Sequence, residues 1–130
     1  MKEVKEGIRG TASAKAEKGN LASSMGSGCL DVFATPAMIA LMENAACNAL
    51  ADCLEGDETT VGTALDVQHL SATPEGMEVT AEAVLTEVNG REFTFEVTAS
   101  DGAGLIGKGT HKRFLVYGGR FLEKTKAKLK

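Results

Sequence analysis

The sequence predicts an α+β fold in which an antiparallel sheet wraps around one long central helix. Three observations predict it. One strongly helical stretch opens at Thr35-Pro36 and runs to Leu54. The residues after it switch to period two and form four strand-like runs. Tight-turn signals, above all Asn89-Gly90, separate those runs, as hairpin-linked antiparallel neighbours require.

The elements follow in order. In residues 11–17, Ala12, Ala14 and Ala16 alternate with Thr11, Ser13, Lys15 and Glu17, a strand pattern. Residues 18–31 are rich in Gly, Ser and Asn and read as a loop. Thr35 is a good helix N-cap and Pro36 suits the first helical position. Ala37 to Leu54 is dominated by Ala, Leu and Met, strong helix formers, and stops before the turn Glu55-Gly56-Asp57. At about 100° per residue, Asn44, Asn48 and Asp52 share one face, and Ile39, Met42, Ala46, Leu50 and Cys53 the other. Val61, Leu65 and Val67 then alternate with polar or small neighbours. Thr73-Pro74-Glu75-Gly76 is a turn. Met77 to Leu85 and Phe93 to Ala99 alternate on either side of Asn89-Gly90, and Asp101-Gly102 precedes a last strand from about Leu105 to Tyr117. One long helix must cover the apolar face of such a sheet. That is the hotdog arrangement.

The bulk properties bound the function. A chain of 130 residues suggests one domain, 1–130. Its 43% hydrophobic and 25% charged residues exclude a disordered chain. No apolar run approaches the roughly 18 residues of a membrane span, and Met1–Glu6 is polar, so the expected location is the cytoplasm, with no membrane partner. Cys29, Cys47 and Cys53 form no C-x-x-C pair, which fits reduced thiols. The only histidines, His69 and His111, sit in no ligand cluster, so no metal site is expected. Residues 118–130 hold five Lys/Arg and one acid, which leaves this basic C-terminal tail at +4 and the rest of the chain at −8. A solvated terminal segment is the plain reading of that tail, and contact with a phosphate the alternative. An acidic body with one tyrosine and no tryptophan argues against nucleic acid. Phosphate-binding glycine motifs are absent, and no cofactor is expected.

Polar residues break the apolar pattern at informative places. Glu43 follows Ile39 by four residues and precedes Ala46 by three, on the apolar stripe of the helix. A carboxylate there needs a partner or a place at the border of the stripe. His69 is in phase with Val61, Leu65 and Val67, on the face that meets the helix. Alone it would be a hydrogen-bonded core histidine. Together, a carboxylate from the helix and an imidazole from the sheet form the base-and-orienter pair of nucleophilic catalysis. Thr35 is either a cap or a hydroxyl held in the positive potential of a helix N-terminus. It lies two turns before Glu43, about 12 Å along the axis, a gap that His69 would bridge. Gly62 leaves room in a strand for backbone or ligand. Gly107 and Gly109 fit close packing against the helix. His111 and Arg113 follow on that face, Arg113 either as a phosphate ligand or as a surface arginine.

The segments VFATPAMIALMENAACNAL, VGTALDVQHLSATPEGMEV and IGKGTHKRF resemble the fluoroacetyl-CoA thioesterase-like family, a branch of the hotdog superfamily. The resemblance extends from about Gly7 to Phe121, with Thr, Glu and His in order at spacings of eight and twenty-six residues. It implies a catalytic triad of Thr35, Glu43 and His69, substrate contacts from Gly62 and Arg113, and a homodimer or higher even oligomer holding acyl-CoA between protomers. Upstream of Val32 the chain departs from the family, which is richer there in proline and phenylalanine. Asn20 to Gly28 would line the acyl pocket, so the expected substrate is a general short-chain or metabolic acyl-CoA.

The expected function is acyl-CoA thioester hydrolysis, with His69 as general base, oriented by Glu43, activating Thr35 or a water. Gly62 N–H and the helix N-terminus are the expected oxyanion donors. The alternatives are a non-catalytic hotdog module that binds acyl-CoA or another small ligand, and a hotdog dehydratase or hydratase.

Overall fold

The computed structural model describes residues 1–130. Its elements are β1 (Arg9–Lys15), α1 (Ala22–Met25), α2 (Thr35–Leu50), β2 (Glu58–His69), β3 (Glu78–Asn89), β4 (Glu92–Asp101), β5 (Gly104–Tyr117) and α3 (Gly118–Lys126). The five strands form one antiparallel sheet in the order β1-β3-β4-β5-β2, so β1 and β2 are its edges.

Helix α2 buries Met38, Leu41, Met42, Ala45, Ala46 and Leu50 against the sheet. It packs chiefly on β1 and β3 and touches β4 and β2 less. Small residues permit that approach: a Cβ on Gly10 would run into the backbone of Ala45 and Ala49. Val79, Ala81, Ala83 and Leu85 of β3 and Phe93, Phe95, Val97 and Ala99 of β4 complete the core, each at most 1% exposed. Burying a side chain the size of Leu85 or Phe95 contributes about 1.5–3 kcal/mol, and their period-two spacing follows from the pleat. No helix is long and apolar enough to cross a membrane.

Several elements depart from expectation. The loop expected over 18–31 contains one helical turn, α1, ended by Gly26 at φ 73. Ala34, not Thr35, is the N-cap of α2, and no side chain caps the helix. The long helix ends at Leu50 and continues only as a tight turn over Ala51–Cys53. Its buried stripe is centred on Met38, Met42 and Ala45, so Ile39, Glu43 and Cys53 fall on the border. The β3–β4 hairpin loop is Gly90-Arg91, since Asn89 pairs with Glu92. Gly90 at φ 63, with no non-glycine residue at positive φ, is the first central residue that a type II′ turn demands. In the basic tail α3 starts at Gly118, whose N–H donates to the Asp57 carbonyl, and Gly119 N–H donates to the Asp57 carboxylate.

The most consequential departure is in β2. The β2–β5 register slips between Gly62 and Ala64, leaving Thr63 as a bulge. Before it the inward residues are Thr60 and Gly62; after it they are Leu65, Val67 and His69, opposite His111, Gly109 and Gly107. Val61 is therefore on the outer face, out of phase with His69, contrary to a regular alternation.

Candidate active site

Thr35 and His69 meet at the start of α2. Thr35 Oγ1 is 2.7 Å from His69 Nδ1. The hydroxyl at the head of the helix is thus engaged by the imidazole instead of capping a backbone amide. With the ring hydrogen on Nε2, Thr35 donates to Nδ1, and the imidazole is placed to take that proton. His69 Nε2 is buried with no hydrogen-bond partner within the chain. A cavity of about 280 Å³ opens beside the pair, walled by Ala22, Val32, Phe33 and Leu70. Positive potential from the unpaired amides of α2's first turn reaches it.

Glu43 lies two turns further along α2, and its side chain is 37% exposed. Its charge partner is Arg113, with Oε2 3.5 Å from Nη1. The expected Glu43–His69 pair is absent within one chain. The reason is reach: the helix carries Glu43 about 12 Å beyond Thr35, over Gly62, while His69 lies at the other end of β2. A Cβ on Gly62 would stand 2.6 Å from Glu43 Oε2, so glycine leaves the space the carboxylate fills.

Arg113 is 6% exposed, which removes the surface-arginine reading. Its Nε donates to Thr60 Oγ1 at 2.9 Å and its Nη2 to the Thr60 carbonyl at 3.0 Å. Nη1 lies 3.1 Å from His111 Nε2. His111 is fully buried, its Nδ1 2.9 Å from the Ala64 carbonyl and its ring stacked on Phe95 with centroids 6.4 Å apart. Burial, seconded by the Arg113 charge, pushes the His111 pKa below its ordinary 6.5, against opposing pulls from the Ala64 bond and Glu43.

The structure thus makes two groups, Thr35 with His69, and Glu43 with Gly62 and Arg113. Thr60 and Ala64 were not legible as site residues, because the bulge reverses the phase on which they would be read. Gly107 lies under Met38 of α2, where a Cβ would stand 2.5 Å from Sδ. Gly109, by contrast, is crowded by Val67 of β2 and not by the helix. No three His, Cys, Asp or Glu side chains converge as a metal site would require.

The chain is similar to known proteins over most of its length. The sequence pattern of the fluoroacetyl-CoA-specific thioesterases matches residues 16–118. The fluoroacetyl-CoA thioesterase of Streptantibioticus cattleyicolor is 45% identical over 100 residues, 77% of this chain and 69% of that protein. A solved structure of the fluoroacetyl-CoA thioesterase FlK superposes with a TM-score of 0.91 at 35% identity, covering 97% of this chain and 98% of that one. A hot-dog-like protein from Thermanaerovibrio acidaminovorans shares the fold, with a TM-score of 0.85 at 20% identity over 96% of this chain and 93% of that one.

Proposed function

The chain belongs to the fluoroacetyl-CoA-specific thioesterase family, and from that premise we propose that it hydrolyses a short acyl-CoA thioester to the free acid and coenzyme A. The observation that carries this reading is the 2.7 Å contact between Thr35 Oγ1 and His69 Nδ1 beside a small cavity of mixed polar and apolar lining.

His69 takes the proton from the Thr35 hydroxyl, or from a water in its place, as that oxygen attacks the thioester carbonyl. The oxyanion of the tetrahedral intermediate is held by amides at the head of α2 and by the N–H of Gly62 of the partner subunit. The C–S bond then breaks, and the imidazolium returns the proton to the departing thiolate. With Thr35 as nucleophile, a water hydrolyses the acyl ester in a second round; with direct attack by water, the acid forms at once. Gly62 and Arg113 of the partner subunit flank the substrate, and the carboxylate of the partner's Glu43 offsets the imidazolium charge. A cavity of about 280 Å³ suits an acyl group of a few carbons.

The protein works as a homodimer joined through β2. That strand is an unpaired edge, and Leu65 on it is 39% exposed. Antiparallel pairing of two β2 strands brings the Gly62 end of one copy beside the His69 end of the other. Glu43 of the partner subunit then approaches the unpartnered Nε2 of His69. The site operates in the cytoplasm, and residues 1–130 form one domain.

The test is a panel of short acyl-CoA substrates followed by free-thiol release, with enoyl-CoA monitored in parallel. Thiol release in step with free acid supports hydrolysis; an enoyl product or binding without turnover would replace it. Light scattering checks the dimer. A mixture of His69→Ala and Glu43→Gln chains regains activity if each site draws on both copies.

A further inference from the structure

His111 takes no part in the chemistry above, yet it is wholly buried and bonded through both ring nitrogens. The Ala64 carbonyl accepts only, so Nδ1 carries the ring hydrogen. The Arg113 guanidinium donates only, so Nε2 presents its lone pair. Both partners are satisfied by one species, the neutral Nδ1–H imidazole. A proton on Nε2 would point at a guanidinium N–H.

Arg113 is fastened in turn. Thr60 accepts from Nε through its hydroxyl and from Nη2 through its carbonyl, and His111 accepts one hydrogen of Nη1. The second Nη1 hydrogen is left for Glu43 Oε2. The bulge at Thr63 makes this possible, because it brings the Ala64 carbonyl to Nδ1. Phe95 supports the ring from the core.

We propose that His111 is a positioning residue of the thioesterase site: its neutral imidazole, clamped by the Ala64 carbonyl, fixes the rotation of the Arg113 guanidinium and so aims Glu43 at the catalytic imidazole of the partner subunit. Thr60 is the second anchor of the same guanidinium. The proposal rests on the reading of Glu43 and Arg113 as part of the site, and it names the residues that hold them. Lysine cannot replace Arg113, because three directions are used at once by a rigid fork.

The experiment is a double-mutant cycle on the fastest of acetyl-, propionyl- and fluoroacetyl-CoA, with kcat, KM and Tm measured for each variant. His111→Phe keeps the ring on Phe95 but removes the acceptor, and should lower kcat on the order of tenfold or more. His111→Gln, whose amide oxygen can accept from Arg113, should recover part of it. In an Arg113→Lys background, His111→Phe should cost little further, since the route through Arg113 is already gone. Val79→Ala loosens the core in β3, away from His111 and Arg113, and should lower Tm while leaving kcat near wild type. A kcat that simply tracks Tm across these variants overturns the proposal. So does a fall in Arg113→Lys and Glu43→Gln with full kcat in His111→Phe, which leaves the functional reading standing. Wild-type kcat in Arg113→Lys and Glu43→Gln removes that reading and the proposal with it.

Discussion

The carboxylate of Glu43 fills the space that a side chain on Gly62 would take: a Cβ there would lie 2.6 Å from Oε2, 3.2 Å from His111 Cε1 and 3.4 Å from Arg113 Nη1. Three charged or polar groups from two other elements thus converge on one strand glycine. Gly62→Ala should push the partly exposed Glu43 aside more readily than the buried Arg113. Displacing a reacting group by about 1 Å costs up to about a hundredfold, so kcat should fall on the order of ten- to a hundredfold while Tm changes little. Steady-state kinetics beside a thermal melt checks this; an active Gly62→Ala would show that the position of Glu43 is uncritical.

His69→Ala should lose roughly 10²–10⁴-fold in kcat, the usual contribution of a general base, with the fold intact. Thr35 then discriminates the two routes. Thr35→Ser keeps the hydroxyl 2.7 Å from the imidazole and should retain much of the activity. Thr35→Val removes it. If Thr35 is the nucleophile, rapid quenching of wild type and mass analysis should find an acyl group on Thr35; an unmodified residue under a pre-steady-state burst would assign the attack to water.

Glu43→Gln keeps the shape and removes the charge. Arg113 keeps its bonds to Thr60 and His111, so the melting temperature should shift by only a few degrees. The catalytic rate should fall strongly, because the amide no longer balances an imidazolium. A silent Glu43→Gln would reduce Glu43 to a border residue of the helix.

The lowered pKa of His111 has a consequence for stability. The unfolded chain binds the proton near the ordinary 6.5, while the folded chain binds it only at lower pH. Between those values the unfolded state holds more protons, so stability rises with pH. The contribution of His111 is complete above about pH 6.5 and is lost as pH falls toward its folded value. Melting curves from pH 7.5 down to about 5 should decline less steeply in His111→Gln than in wild type. Parallel slopes would show that His111 titrates alike in both states.

Much of this protein is written in its pattern. Alternation in Met77–Leu85 and Phe93–Ala99 marks the two core strands, because one face of a half-covered sheet must be apolar. The Ala- and Leu-rich run after Pro36 marks α2, since propensity and burial agree there. Thr35, Glu43 and His69 are legible for the opposite reason: a hydroxyl at a helix head and polar groups beside an apolar stripe disturb their pattern. Partnership is a different matter. Which atoms of Thr35, Glu43, His69, Gly62 and Arg113 meet depends on where α2 lies across the sheet and on one bulged residue, Thr63, which reverses the facing of everything before it in β2. Periodicity carries no information about such a slip, because one extra residue changes the face without changing the composition. The sequence by itself determined the α+β class and the order of the main elements, since these rest on local propensity and burial, and it marked Thr35, Glu43 and His69 as polar residues that break the pattern. Only the tertiary structure decided that Glu43 faces Arg113 instead of His69, and that Thr60, His111 and the Ala64 carbonyl hold that arginine, since those contacts join residues far apart in the chain through the geometry of helix on sheet.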